Sequence, residues 1–292
     1  MSENMAHTSD QINQAVNFIL KLRPSYATIL EFYGKIFSAQ EDMKPHLNIN
    51  PVIISKDLIQ IKARDKFPLI SISEFGIDQQ ASKELFKRIC SISADSNDYL
   101  ADSARKLIRL LDFDQIDFEA LVSSLLNNDD SFFERNSTQF DLDKKVLAFI
   151  TYNSIKPCLS ACADQLASYL DKNVEWGKGY CPICGSAPGI SMFQGQGERF
   201  LYCSFCWHKW TAKRIYCPFC DNRDTESLQY LFSEDEKEYR VDICDKCNKY
   251  IKTVDTRATE RLIYPPLEQV ATLHLDIKAK EIGLLSGVEL FL

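Results

Sequence analysis

Four Cys-x2-Cys pairs stand in one stretch of the chain: Cys181 with Cys184, Cys203 with Cys206, Cys217 with Cys220, and Cys244 with Cys247. Random placement of the chain's eleven cysteines produces about 0.4 such pairs, so the pattern is not chance. Two cysteines three positions apart in a tight turn can aim both sulfurs at one ion, with backbone N–H groups turned toward the thiolates. Two such knuckles supply the four sulfurs that Zn²⁺ or a mononuclear iron accepts in a tetrahedron. Sequential pairing joins Cys181 and Cys184 to Cys203 and Cys206 across 18 residues, and Cys217 and Cys220 to Cys244 and Cys247 across 23. Each gap fits one hairpin. Pairing the first knuckle with the fourth needs a longer closed loop. The opening knuckles lie 36 residues apart and both read Cys-Pro-x-Cys, which points to an internal repeat.

A thiol–disulfide or electron carrier is the competing chemistry. Redox-active Cys-x2-Cys pairs of the thioredoxin type sit at a helix N-terminus in a βαβ pattern. Here the pairs lie among short runs rich in β-branched and aromatic residues, which favours metal ligation. Each four-thiolate site around a divalent ion carries a formal charge of −2. Arg199, Lys209, Lys213 and Arg214 occupy a stretch without acids and are expected to compensate part of it. Units this short bury little core, whereas a structural Zn²⁺ contributes about 10–16 kcal/mol of apparent binding energy.

The other cysteines, Cys90, Cys158 and Cys162, read as small buried hydrophobes. His208 follows Cys206 and could replace a ligand, but four sulfurs already suffice. Trp207 and Trp210 flank the second knuckle and read as packing residues. There is no Gly-rich phosphate loop, no HExxH and no GxSxG. Nothing resembles a nucleophile with its base, so the chain is expected not to be an enzyme.

The elements that must position these knuckles divide the chain. Residues 1–175 carry helical periodicity. Asp10 can cap a helix with Ile12, Val16 and Ile19 on its face, interrupted by Pro24. Further stripes include Ile29 to Phe37, Leu85 to Cys90, Leu100 to Leu111, Phe118 to Leu125 and Val146 to Ile150. A last helix is expected after Pro157. Pro45, Pro51 and Pro68 mark an irregular connection. The result is an all-α bundle of about six helices. Strands are expected at Phe200 to Tyr202, Ile215–Tyr216, Leu228 to Phe232, Tyr239 to Ile243 and Tyr250 to Val254. A helix is expected over 265–283 with Gly283 as its C′ residue. The apolar tail Val288 to Leu292 is expected to be docked.

The chain has 292 residues, with 45% hydrophobic and 26% charged, ordinary for a globular protein. Its net charge of −7 argues against a polyanion as main partner. No apolar run is long enough for a spanning helix. The first residues show no basic start and no apolar signal core, which implies a reducing cytoplasm.

From residue 181 onward the chain resembles the formate dehydrogenase accessory protein family, FdhE. The residues that carry this are Cys-Pro-Ile-Cys-Gly-Ser-Ala-Pro at 181–188, Arg199 to Cys206, and Trp210 and Arg214 before Cys217. Tyr239 to Cys247, Tyr250 to Lys252, and Ala271 to Asp276 with Gly283 continue the match, and Phe18 to Gln40 is similar more loosely. The resemblance implies a cytoplasmic maturation or quality-control factor for the catalytic subunit of respiratory formate dehydrogenase. It also implies rubredoxin-like sites, which favours iron over zinc. Rubredoxin knuckles usually place Gly after the second cysteine. Only Gly185 does so here, with Trp207, Asp221 and Asn248 elsewhere, where a Cβ is expected to limit N–H approach to sulfur.

The fold expected is multidomain α+β. A helical domain (1–175) precedes two rubredoxin- or zinc-ribbon-like four-cysteine modules (176–215 and 216–262), then a C-terminal helix and tail (263–292). Two mononuclear ions are expected, each held by four cysteines. Two other functions compete: a rubredoxin-like electron carrier, and a nucleic-acid-binding zinc ribbon that rests only on Arg199 to Arg214 with Trp207 and Trp210. The near-even charge of the module weighs against the latter.

Overall fold

The computed structural model describes residues 7–171 and 174–288. It divides into two compact units. Of the described residues, one takes 7–52 and 72–162, and the other takes 53–71 and 163–288.

The helices of the N-terminal half are α1 (Ser9–Leu22), α2 (Ala27–Met43), α3 (Lys56–Asp65), α4 (Gln79–Ala94), α5 (Asp98–Asp112), α6 (Phe118–Leu126), α7 (Asp130–Phe140) and α8 (Lys144–Leu166). Short polar side chains start most of them. Thr8, rather than Asp10, caps α1 in a reciprocal capping box with Gln11. Ser55, Asp78, Asn97, Asp117 and Asp129 cap α3 to α7. In the first unit the apolar stripes meet: Ile12 and Ile19 on α1, Ile36 and Phe37 on α2, and Leu85 and Ile89 on α4 are fully buried. Gly34 lets α1 approach α2, because a Cβ there would lie 2.9 Å from Val16 Cγ2.

Three helices depart from the sequence expectation, the first being α7, which Asp129 caps where the sequence reading places no stripe. α3 forms in the proline-marked connection, started by Ser55 and closed by Lys66 in the left-handed conformation. Pro157 does not begin a new helix but lies inside α8. A proline there removes an N–H and leaves the carbonyl four residues back without its helical partner. That carbonyl belongs to Asn153, and Gln40 Nε2 donates to it at 2.8 Å.

The second unit contains one sheet: β1 (Pro188–Gln194), β2 (Glu198–Cys203), β3 (Lys209–Ala212), β4 (Leu228–Phe232), β5 (Tyr239–Cys244) and β6 (Lys249–Asp255). Two antiparallel meanders, β1-β2-β3 and β4-β5-β6, are joined by parallel pairing of β1 with β6, so the order is β3-β2-β1-β6-β5-β4. The repeat legible in the opening knuckles is thus a repeat of knuckle, hairpin, knuckle and third strand. Ile215–Tyr216 is not a strand, and β1, which the sequence reading missed, is central.

The helix expected over 265–283 is two helices, α9 (Pro265–Ala271) and α10 (Leu273–Glu281), separated at Thr272. Gly283, at φ +82°, closes α10: its N–H donates to Lys280 O and that of Leu284 to Ala279 O. Strand β7 (Leu285–Ser286) then pairs with β6. Residues 289–292 of the expected docked tail lie outside the described residues. No described helix is long and apolar enough to cross a membrane.

Because Gln40 and Asn153 are both 2% exposed, Gln40→Leu leaves a buried carbonyl without a donor. Urea unfolding followed by far-UV circular dichroism should show a loss of about 1–3 kcal/mol. Unchanged stability would show that the Asn153 carbonyl does not need this partner.

Candidate metal centre

The eight cysteines of the four knuckles gather into two groups, Cys181/Cys184/Cys203/Cys206 and Cys217/Cys220/Cys244/Cys247, with the sulfurs of each group within 4.8 Å of one another. The pairing is sequential. Closest sulfur contacts are 3.5–3.7 Å in the first group and 3.6–3.7 Å in the second. A tetrahedron with metal–sulfur bonds near 2.3 Å has sulfur–sulfur edges of about 3.8 Å. Both groups could therefore hold one four-coordinate ion each. This edge length suits zinc and iron alike.

The knuckle backbone explains how each pair converges. Ile183 N–H donates to Cys181 Sγ at 3.4 Å, and the N–H groups of Phe205 and Cys206 donate to Cys203 Sγ at 3.3 and 3.4 Å. Phe219 and Cys220 serve Cys217 in the same way, and Lys246 and Cys247 serve Cys244. The residue after the second cysteine is left-handed in all four: Gly185 at φ +78°, Trp207 at +62°, Asp221 at +60° and Asn248 at +55°. The backbone shape that glycine favours is thus kept where a Cβ is present. N–H donation from Lys249 even reaches Cys247 beyond Asn248.

The thiols perturb one another. Burial pushes Cys181 and Cys206 well up, and Cys184 is driven well down by the three thiols around it. Burial also raises Cys217. Burial works against ionisation of Cys244 too, but the Asn222 amide at 3.4 Å and backbone N–H groups bring it to about 7. An ion entering either group displaces protons, so its affinity must fall as the solution is acidified.

Asn222 is a residue the sequence reading missed. Its place in the turn after a knuckle was the available signal. Of the cations expected to compensate thiolate charge, Arg199 lies within electrostatic reach of Cys217. Arg199 is buried and bonds Ser191 Oγ, the Tyr216 carbonyl and Asp242, which ties β2 to the third knuckle. Lys209 lies over the Phe200 ring and Arg214 over Phe193. His208 stays outside the four-sulfur group, and Trp210 is buried with its indole N–H on Lys178 O at 3.1 Å. Cys90, Cys158 and Cys162 are fully buried in the helical unit, as expected of small hydrophobes.

The family model "FdhE, central domain" matches residues 180–214, the whole of the first cluster with its hairpin. A "Protein FdhE homolog" from Aquifex aeolicus is 27% identical over 275 residues, covering 93% of this chain and 85% of the relative. One from Proteus mirabilis is 28% identical over 274 residues, 88% and 79% of the two chains. The crystal structure of the FdhE protein from Pseudomonas aeruginosa superposes with a TM-score of 0.67 over 98% of this chain and 97% of that one. At 19% identity it supports the fold. The chain is thus similar to FdhE proteins along most of its length.

The two clusters differ in exposure. All four sulfur-bearing residues of the first are buried, whereas Cys220 is exposed and Cys247 is half-buried. The cause is a strap from the segment 53–71. Leu69 N–H donates to Pro182 O and Ile70 N–H to Ile183 O, both at 2.9 Å, so the strap roofs the first knuckle. Tyr180 Oη anchors it on Lys66 O at 2.7 Å. Beside the second cluster, Gly287 sits against the Phe219 ring and β7 lies along β6. Nothing in 53–71 announced this role in sequence.

A competing chromogenic chelator should therefore release metal in two phases, with the second cluster losing its ion at least tenfold faster. Cys220→Ser should abolish the fast phase and leave the slow one. A single phase with equal rates would contradict the burial difference.

Proposed function

We propose that this chain is a non-catalytic accessory protein of formate dehydrogenase, binding the enzyme's catalytic subunit in the cytoplasm and needed for its assembly or activity. In this reading Cys181, Cys184, Cys203 and Cys206 hold one ion within the module 176–215. Cys217, Cys220, Cys244 and Cys247 hold the other within 216–262. The ions fix the sheet unit as a docking platform. The resemblance favours iron, and zinc fits the same sulfurs. The observation that carries the reading is likeness to an FdhE homolog along 93% of the chain, with both four-sulfur clusters assembled.

A second reading, an electron carrier, draws on one specific feature. The exposed Cys220 brings the second cluster to the surface, and N–H groups face sulfur in both clusters. Reversible bleaching of a visible iron–thiolate band on reduction would favour it, and zinc in protein from native cells would remove it.

Deletion of the gene should lower formate-dependent dye reduction in membranes at least tenfold, with restoration by the wild-type gene. A Cys181→Ser/Cys203→Ser gene should fail to restore it. Full activity in the deletion strain would overturn the accessory role.

A further inference from the structure

The two faces of the sheet are covered unequally. On one, Ile190, Met192, Tyr239 and Val254 pack under Ile263 and Leu275, and Val241, Ile243 and Tyr250 pack with Ala279 of α10. Strand residues alternate between faces, and directly paired residues share one. The other face therefore carries Phe193 of β1, Arg240 and Asp242 of β5, and their β4 partners Phe232 and Tyr230.

Three guanidinium groups from separate segments converge there on the Phe193 ring, which is itself buried. Their central carbons lie 4.6 Å (Arg240), 5.5 Å (Arg214) and 5.9 Å (Arg257) from its centroid. Arg214 and Arg257 meet over the hairpin turn: a Cβ on Gly197 would lie 3.4 Å from one Nη1 and 3.6 Å from the other. Arg240 also stands 4.9 Å from the Tyr230 ring, which meets Phe232 at 6.0 Å. Tyr230 and Phe232 are half exposed. The result is a continuous strip from two open rings to three arginines.

Its charges do not balance internally. Asp242 serves both Arg199 and Arg240, and Asp255 takes Arg257. Among the described residues no carboxylate pairs with Arg214. Four guanidinium groups thus face two carboxylates, on a chain whose net charge is −7. Like charges held this close lower their energy when an anion joins them. Guanidinium forks match carboxylates bidentately, and arginine beside tyrosine is the composition of protein-interface hot spots.

We propose that this strip docks an acidic segment of a partner protein, with its carboxylates on Arg214, Arg240 and Arg257 and an apolar side chain on Tyr230 and Phe232. This deepens the accessory reading and rests on it for the partner's being a client enzyme. A nucleic acid fits less well. The arginines form a spot, whereas a phosphate backbone needs a track of cations along it.

The test uses the full-length, metal-loaded protein and a fluorescein-labelled acidic decapeptide containing one leucine, read by fluorescence anisotropy at low salt. Saturable binding is expected, at least tenfold weaker in Arg214→Ala/Arg257→Ala and at least threefold weaker in Tyr230→Ala. Lys278→Ala/Lys280→Ala on α10, an equal change in charge, should leave it unaltered. Metal content and circular dichroism check that the variants fold. No saturable binding, an equal loss in the lysine variant, equally tight binding of oligo(dT), or displacement by low-millimolar inorganic phosphate overturns the proposal. Co-purification separates it from the accessory role. If Arg214→Ala/Arg257→Ala recovers formate dehydrogenase as well as wild type does, the surface is wrong and the accessory role stands. If wild type binds the peptide but never the enzyme, the surface stands as an acidic-segment site and the accessory role falls.

Discussion

Four sulfurs at van der Waals contact cannot all be thiolates unless a cation lies among them. That constraint organises the second unit. In the first cluster the surrounding thiols drive Cys184 toward ionisation while burial pushes Cys181 and Cys206 the other way. An ion at the centre replaces the protons and removes the repulsion. Its binding energy then becomes folding energy. The sheet is arranged so that in each half an ion on the four sulfurs would staple the loop before a hairpin to the turn after it, where the third strand begins.

The knuckles show the same priority in the backbone. Left-handed geometry costs a residue with a Cβ roughly 1–2 kcal/mol, and a bulky one is seldom found there. Trp207, Asp221 and Asn248 adopt it nonetheless. Each is held by something else. Trp207 packs against the Ile190–Met192 core, Asp221 accepts from Tyr216 Oη at 2.5 Å, and Asn248 donates to Gly283 O at 2.8 Å. Strain of this size is small beside about 10–16 kcal/mol from a structural ion. The knuckle conformation is therefore kept without glycine, at a strain that an ion on the four sulfurs would outweigh.

What the sequence revealed is what local spacing can carry. A Cys-x2-Cys pair contains its own geometry, so all eight ligand candidates and their sequential grouping were legible. The helical stripes were legible too, since an amphipathic period needs no distant partner. The misses share a cause. Pro157 continues a helix because Gln40, distant in sequence, takes the orphaned carbonyl. β1 begins with Pro188-Gly189, a poor strand signal, and is secured by neighbours on both sides. The strap at Leu69 and Ile70 works through backbone bonds to Pro182 and Ile183, which leave no mark on side-chain pattern. The merging of two small modules into one sheet depends on the parallel β1–β6 contact, a tertiary event.

The helical unit has an apolar core of its own: its stripes bury Phe37, Phe86 and Leu107 completely. The sheet unit has smaller apolar clusters on one face. Hydrogen exchange by mass spectrometry on metal-loaded and metal-stripped full-length protein reads out whether metal–sulfur bonds hold that unit folded. Stripping should abolish amide protection across β1 to β6 while helices α4, α5 and α6 keep theirs. Protection of the strands unchanged without metal would show that the unit folds without those bonds.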